Sequence, residues 1–213
     1  MLENVKIFTH SSIKIETKDH FVLYFDPFRI PEEFHDADYI LITHSHYDHF
    51  SPEDINKVKK ENTKIVITTD LFDKTVSLGF NEDDITIALP NAHYKVENIE
   101  FDTIPAFNKL KEFHPRKNGW IGYIIKLNDV TYYVAGDTDY SHEASRVECD
   151  VALLPIGGTY TMNAEEAAKL ANDIHPKIAV PTHYGSIVGS PEDADKFCSL
   201  LNKEIECIKL IQF

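Results

Sequence analysis

The sequence contains little cysteine and no long apolar run. Its 213 residues include three cysteines, Cys149, Cys198 and Cys207, and none belongs to a C-x-x-C pair. A disulfide scaffold is therefore not expected, and a reducing compartment fits better. No stretch approaches the ~18 consecutive apolar residues of a membrane span, and residues 1–7 lack the apolar run of a secretory signal. We expect a cytoplasmic protein that does not enter a membrane.

Positive charge is also scarce. The chain has 21 Lys and Arg against 35 Asp and Glu, so its formal net charge is -14 with neutral histidines. Such a chain repels phosphate backbones, which disfavours nucleic acid as a partner. Bound divalent ions would reverse the sign of the field locally. We expect a small-molecule substrate, and the sequence leaves a homo-oligomer open.

The chain has no low-complexity segment, long linker or repeat, and its length predicts one domain over residues 1–213. Apolar and alternating segments predict strands at 5–9, 13–16, 21–25, 39–43, 64–68, 85–89 and 99–104, a hairpin over 121–127 and 131–135, and strands at 151–154, 178–180 and 205–211. Helices are predicted over 51–60 and 71–78, from 163 onward, and over 191–201. Ser51 is expected to cap the first helix, with Asp54 in the capping-box position. This alternation in both halves predicts a layered α/β sandwich.

Four side chains of the metal-ligand type lie within six residues, in His44-Ser45-His46-Tyr47-Asp48-His49. The segment directly follows the predicted strand 39–43. Imidazole and carboxylate suit zinc and similar divalent ions. Residues two apart on an extended segment point to the same side, so His44 and His46 can bind one ion, while Asp48 and His49 can serve a second ion nearby.

Two further strand ends carry side chains of the same type. Gly136-Asp137-Thr138 follows the strand 131–135, and Thr182-His183-Tyr184 follows the strand 178–180. Each is weak evidence by itself, because an aspartate in a turn or a lone histidine is commonly structural. Side chains at the ends of rigid strands are held accurately, so three such ends together predict a metal-dependent hydrolase.

These motifs resemble those of the metallo-β-lactamase superfamily. Residues 44–49 match its HxHxDH signature, and Asp137 and His183 resemble its bridging aspartate and last histidine. Within the superfamily the chain looks like a compact branch near the L-ascorbate-6-phosphate lactonase-like proteins, through Thr9-His10-Ser11, Asp26-Pro27-Phe28 and residues 154–159. The resemblance covers nearly the whole chain. It implies an αββα sandwich of two mixed sheets flanked by helices, and a centre of two divalent ions, Zn²⁺ first, with Mn²⁺ or Fe as alternatives.

The third histidine of the first metal site is ambiguous. The family places it between the HxHxDH motif and the aspartate, where His93 and His114 compete, and related branches carry a histidine where this chain has Asn108. His114 lies 137 − 114 = 23 positions before Asp137. The predicted hairpin over 121–135 fits within this interval, so we favour His114. The implied ligand set is then His44, His46, Asp48, His49, His114, Asp137 and His183.

The same resemblance implies a mechanism. Two ions bridged by Asp137 would hold a water whose pKa falls from about 15.7 toward 7. Asp48 would bind the second ion and orient the nucleophile. His10 is the other candidate catalytic residue, and Asp26 is a candidate for holding a ligand ring.

Substrate binding is predicted from a local excess of positive charge. Lys109, Lys111, Arg116 and Lys117 are accompanied only by Glu112. We take Arg116 and Lys117, with Tyr184, as substrate-binding residues that favour an anionic group, and Trp120 and Tyr123 as candidates for the pocket wall. The function predicted is hydrolysis of a small anionic ester, lactone or phosphodiester.

Three other functions fit the motif less well. A di-iron redox protein would use the same ligands, but 213 residues leave no space for a fused electron-transfer domain. A phosphodiesterase acting as a nuclease is disfavoured by the acidic chain. A non-catalytic metal-binding protein has no need for an open coordination position.

Overall fold

A computed structural model describes residues 1–212 as two β-sheets packed face to face, with helices on the outside. The first sheet has six strands in the order β1-β2-β3-β4-β5-β6. They are β1 (Val5–Ile7), β2 (Ile13–Glu16), β3 (Val22–Phe25), β4 (Ala37–Leu41), β5 (Lys59–Ile67) and β6 (Ile85–Ile87). The helices α1 (Pro52–Val58) and α2 (Phe72–Ser77) belong to this half of the chain.

The second sheet has seven strands in the order β13-β12-β11-β10-β9-β8-β7. They are β7 (His93–Val96), β8 (Ile99–Pro105), β9 (Ile121–Leu127), β10 (Val130–Val134), β11 (Val151–Pro155), β12 (Ile178–Thr182) and β13 (Glu206–Cys207). The helices α3 (Ala164–Ile174) and α4 (Pro191–Ser199) pack together in this half. The predicted αββα sandwich of two mixed sheets is confirmed.

The main core lies between the sheets. Leu23 and Phe25 from β3 pack in one buried cluster with Ile121 and Tyr123 from β9. Each large apolar side chain buried in this way contributes about 1.5–3 kcal/mol. A second cluster on the outer face of the first sheet includes Ile55 of α1. Both sheets are thereby fixed against each other and against their helices.

Strand directions explain where the loops meet. In the first sheet β3 and β4 are parallel, and β1 runs the same way because two antiparallel pairings separate it from β3. In the second sheet β10, β11 and β12 are parallel, and two antiparallel pairings give β8 the same direction. Ligands in α/β proteins bind at such carboxyl ends. The candidate ligands follow β1, β4, β8, β10 and β12.

Several local predictions need correction. The strand β7, which carries His93, was not predicted, and the closing strand expected over 205–211 is reduced to β13. Ser51 does cap α1, since its side chain accepts a hydrogen bond from the backbone N–H of Asp54. The carboxylate of Asp54 does not complete a capping box, because it accepts from the backbone N–H groups of Arg29 and Ile30.

One disulfide bond was not predicted from the sequence. Cys198 at the end of α4 and Cys207 on β13 form a disulfide, nine residues apart. The pairing depends on how the chain returns from α4 to the sheet, which the spacing does not reveal. Cys149 is a free thiol and is partly buried. No helix within residues 1–212 combines the length and apolarity needed to cross a bilayer.

Candidate metal centre

The segment 44–49 is anchored to the first sheet through Asp26. Both carboxylate oxygens of this fully buried residue accept hydrogen bonds from Thr43, one from its backbone N–H at 2.8 Å and one from its hydroxyl at 2.7 Å. The Nδ1–H of His49 also donates to Asp26, at 2.7 Å. Since Nδ1 is used in this way, Nε2 of His49 is left to face the interior of the site. Asp26 therefore holds a ligand ring, as expected.

Three histidines form the first group of candidate ligands. One nitrogen from each of His44, His46 and His114 lies within 4.8 Å of the others. The Trp120 ring covers this group, with its centroid 4.8 Å from those of His44 and His46. Its indole N–H donates to Asp70 at 3.1 Å. Trp120 is thus buried against the histidine rings, as a wall of the site.

Asn108 holds the ring of His114. Its side-chain oxygen accepts from the backbone N–H of His114 at 3.1 Å and from Nδ1–H at 2.9 Å. Its amide nitrogen donates to Asp139 and to the carbonyl of Tyr160. All four bonds fix the amide orientation, so His114 carries its proton on Nδ1 and presents Nε2 as a lone pair. Asn108 positions the histidine instead of replacing it.

The other candidate for the third histidine lies elsewhere. His93 is on the outermost strand of the second sheet, 62% of its side chain is exposed, and it pairs with Asp102. The geometry therefore brings His114 to the site and leaves His93 outside it.

Asp137 lies between two groups of histidines. One of its oxygens is 3.2 Å from Nε2 of His114 and 2.9 Å from Nε2 of His183, and the other is 3.3 Å from Nε2 of His49. Gly136 turns the chain after β10 with a φ of +64°, and a Cβ there would lie 3.0 Å from the carbonyl oxygen of Ile121. The position requires glycine.

The second group consists of His10, Asp48, His49 and His183, whose ligand atoms also lie within 4.8 Å of one another. Nε2 of His10 is 3.1 Å from an oxygen of Asp48. The same oxygen is 3.8 Å from Nε2 of His49 and 3.8 Å from Nε2 of His183. With Asp137 between them, the two groups form one continuous buried site.

Burial and charge set the ionisation of these residues in the metal-free site. Burial, together with the charge of His49, lowers the pKa of His44 well below its ordinary value, which leaves a neutral ring. Burial opposes ionisation of Asp137, but the charges of His183 and His49 outweigh it and hold its pKa well below normal. Burial likewise opposes ionisation of Asp48, yet the hydrogen bond from His10 and the charge of His49 lower its pKa to about 2. Burial opposes protonation of His49, but the carboxylates of Asp137 and Asp26 outweigh it and raise its pKa well above its ordinary value. A metal ion would displace this proton, because neutral imidazole and ionised carboxylate are the forms that bind metals.

Unpaired buried atoms test whether a metal fits. Six buried side-chain atoms lack a hydrogen bond of acceptable geometry among the described residues: Nδ1 of His10, Nε2 of His49, Nε2 of His114, Oδ1 of Asp137, and both ring nitrogens of His183. Four of the six, Nε2 of His49, His114 and His183 and Oδ1 of Asp137, belong to pairs of atoms that lie 2.9–3.3 Å apart around Asp137. A buried polar atom without a good hydrogen bond costs free energy. Cations would take up the lone pairs that converge here, so the donor set fits divalent metal ions.

The predicted substrate-binding residues lie in different environments. Arg116 pairs with Glu143 and lies over the ring of Phe107. Lys117 is exposed, and no carboxylate of residues 1–212 lies within 4.0 Å of its ammonium. Tyr184 is 1% exposed in the main core. The role of Tyr184 in substrate binding stays a prediction.

Three supporting residues were missed or misread in the sequence. Asn108 was considered only as a replacement ligand, and Asp70 was not considered. Gly157 was considered only as part of the segment 154–159, and a Cβ there would lie 2.3 Å from the carbonyl oxygen of His183. Tyr123, considered for the pocket wall, is buried in the core and donates to the carbonyl of Ile42. The only usable signal for the missed residues was their place just after predicted strands.

Comparisons with known proteins agree with this geometry. Residues 4–183 match the model of the beta-lactamase superfamily domain. A UPF0173 metal-dependent hydrolase of Pyrococcus horikoshii is 31% identical over 220 residues, which cover 97% of this chain and 95% of that protein. A solved structure from Parabacteroides distasonis has a TM-score of 0.79 at 28% identity and covers 98% of this chain and 93% of its own. CmlA, a diiron β-hydroxylase from Streptomyces venezuelae, has a TM-score of 0.74 at 13% identity, and 52% of it is covered along with 97% of this chain. The likeness to CmlA shows the fold alone.

Proposed function

Because the chain belongs to the beta-lactamase superfamily and is a metal-dependent hydrolase, we propose that it uses two divalent ions to hydrolyse a small anionic ester, lactone or phosphodiester. Zn²⁺ is the first candidate, and Mn²⁺ or Fe are alternatives, since imidazole and carboxylate ligands suit all three. The observation that carries this proposal is the buried His and Asp set, whose unpaired atoms converge from the two sheets.

The proposal assigns each ligand to one of two ions. The first ion would be held by His44, His46 and His114, and the second by Asp48, His49 and His183, with Asp137 between them. Two such ions supply Lewis acidity for a carbonyl or phosphoryl oxygen and make hydroxide available near neutral pH. The remaining steps depend on the protein's own side chains.

Asp48 is the residue best placed to orient the nucleophile. Its side chain is 11% exposed, whereas those of His49 and His183 are at most 1% exposed. Asp48 is therefore more accessible to solvent than these two candidate ligands of the same ion. Its pKa of about 2 keeps it ionised across the neutral range. An ionised carboxylate at this position accepts a hydrogen bond from the attacking water and turns a lone pair toward the substrate.

Of the two cations predicted to bind substrate, Lys117 is the remaining candidate for recognition of an anionic group. Arg116 is engaged by Glu143, and Lys111 is engaged by Asp139 at 2.9 Å. Lys117 lies three residues after His114 and is exposed. Replacing Lys117 with Glu should raise KM for anionic substrates, and Lys203→Glu, the same charge reversal at an exposed lysine before β13, serves as the matched control. An unchanged KM in Lys117→Glu would remove this part of the proposal.

A substrate screen tests the proposed function. Protein of measured metal content is assayed with lactones, phosphodiesters and thioesters, before and after chelation and after restoration of Zn²⁺, Mn²⁺ or Fe. Asp48→Asn should lower kcat about 10²-fold or more while circular dichroism stays unchanged. His20→Gln, a change at an exposed histidine, should have no effect. Equal activity of Asp48→Asn and wild type, or activity that survives complete metal removal, would contradict the proposal.

A further inference from the structure

His10 has no place in the seven-ligand set, yet it lies within the second group of candidate ligands. We propose that His10 is a fourth side chain bound to the ion held by Asp48, His49 and His183. This inference rests on the proposed metal centre and goes beyond it, because it adds a ligand from the first strand of the chain and distinguishes the two ions from each other.

The convergence of ligand atoms favours binding. Ligands about 2.1 Å from a common ion lie within about 4.2 Å of one another. Nε2 of His10 and the oxygen of Asp48 are 3.1 Å apart and meet this limit. The ligand atoms of the whole group lie within 4.8 Å of one another, so a contraction of about 0.6 Å would place them all around one ion. A histidine that only anchored Asp48 would need to be near Asp48 alone. His10 is instead close to the ligand atoms of His49 and His183 as well.

The backbone holds His10 in this place. His10 and His183 have φ values of +55° and +56°, a conformation that costs non-glycine residues about 1–2 kcal/mol each. The backbone N–H of His183 donates to the carbonyl of His10 at 2.9 Å, which ties the two residues together across the two sheets. Their ring centroids are only 3.6 Å apart. The fold thus accepts strain at both positions and brings both rings to one point.

Burial removes solvent as an alternative partner. His10 is 0% exposed, and Nδ1 has no hydrogen-bond partner among residues 1–212. The Phe28 ring lies 6.3 Å from that of His10 on one side. Among residues 1–212, Asp48 is thus the one hydrogen-bond partner of the buried ring, and a cation bound at Nε2 would offset the cost of burying it.

The two ions would then differ in accessibility. His10, Asp48, His49 and His183, with Asp137 shared, would surround the second ion with protein ligands. The first ion would have three histidines and Asp137. The second ion would thus have five protein ligands and the first ion four, and the ion with fewer protein ligands is the one that can add a substrate oxygen. The substrate oxygen is therefore expected at the first ion.

Two substitutions at His10 separate ligation from anchoring. A glutamine amide can still donate to Asp48 from the place of Nε2, but it is a poor ligand for zinc. Metal-free wild type, His10→Gln, His10→Ala and the control His20→Gln are titrated with Zn²⁺ and with Co²⁺ in competition with a chromophoric chelator. If His10 is a ligand, both His10 variants bind one of the two ions at least 10-fold more weakly, and the visible absorption of that Co²⁺ changes.

The alternatives give different results. Wild-type affinity in His10→Gln with loss in His10→Ala would overturn the proposal and leave His10 as a hydrogen-bond donor to Asp48. Wild-type affinity in both variants would also overturn it. Should His10→Ala fail to fold, His10→Gln decides alone. Binding of fewer than two ions by the wild type would contradict the proposed metal centre itself, so the two failures are distinguishable.

Discussion

Replacing Asn108 with alanine tests how the first group of ligands is organised. Asn108 is buried and makes four hydrogen bonds, two to His114, one to Asp139 and one to the Tyr160 carbonyl. At about 1 kcal/mol each, their loss should lower the free energy of unfolding by about 3–4 kcal/mol. Loss of the partner that orients a ligand ring should also weaken one ion about 10- to 100-fold.

The assay combines stability with metal binding. Urea unfolding of the metal-free proteins gives the first quantity, and titration with Zn²⁺ against a chelator gives the second. Trp120 is the single tryptophan and its ring lies 5.5 Å from that of His114, so its fluorescence reports on this ion. Asn62→Ala, a change at an exposed asparagine of β5, is the control. A variant that loses stability but keeps both affinities would refute the positioning role of Asn108.

Three further predictions concern a close contact, a thiol and pH. Gly157→Ala should destabilise the protein by about 3 kcal/mol, because the new Cβ would lie 2.3 Å from the carbonyl oxygen of His183. Gly158→Ala is the control and should cost about 1 kcal/mol, because only the φ of +80° is unfavourable there. Equal thermal stability of the two variants would contradict the steric argument. Burial raises the pKa of the Cys149 thiol to about 12, so this thiol should react slowly at pH 8. With the disulfide intact, an aromatic disulfide reagent should label no thiol rapidly in the native protein and one thiol after unfolding. Rapid labelling of the native protein would contradict this prediction. Burial lowers the pKa of His10 to about 4, so between its ordinary value near 6.5 and 4 the unfolded chain binds a proton that the folded protein refuses. Stability of the metal-free protein should therefore fall as pH is lowered through that window, by about 3 kcal/mol from this group. Urea unfolding at pH 6.5 and 4.5 should show a smaller loss of unfolding free energy in His10→Gln than in the wild type. An equal loss in the two proteins would contradict the role assigned to His10.

The parts of the site that follow rigid strands could be predicted from sequence. The segment 44–49 and the positions of Asp137 and His183 depend on local patterns, namely an apolar run followed by ligand-type residues. The parallel strands then bring these ends together in the structure. Most of the candidate ligands could therefore be predicted from the sequence. The narrower resemblance to L-ascorbate-6-phosphate lactonase-like proteins stays a prediction.

Side-chain networks could not be predicted in the same way. The position of Asn108 in the chain gives no indication that its oxygen accepts from His114, since a folded loop brings the two together. The sequence distance of 50 residues between Asp70 and Trp120 likewise hides their contact. The burial of Tyr184 in the main core was likewise not predictable, because a residue next to a candidate ligand can point either into the site or into the core. Such contacts are set by tertiary packing.

We propose that the buried His and Asp set binds two divalent ions and that His114 completes the first site. Elemental analysis of protein dialysed to equilibrium with Zn²⁺ measures the number of bound ions. Wild type and His93→Gln should each retain two ions per chain, whereas His114→Gln should retain one. Fewer than two ions in the wild type, or loss of an ion in His93→Gln but not in His114→Gln, would contradict this account.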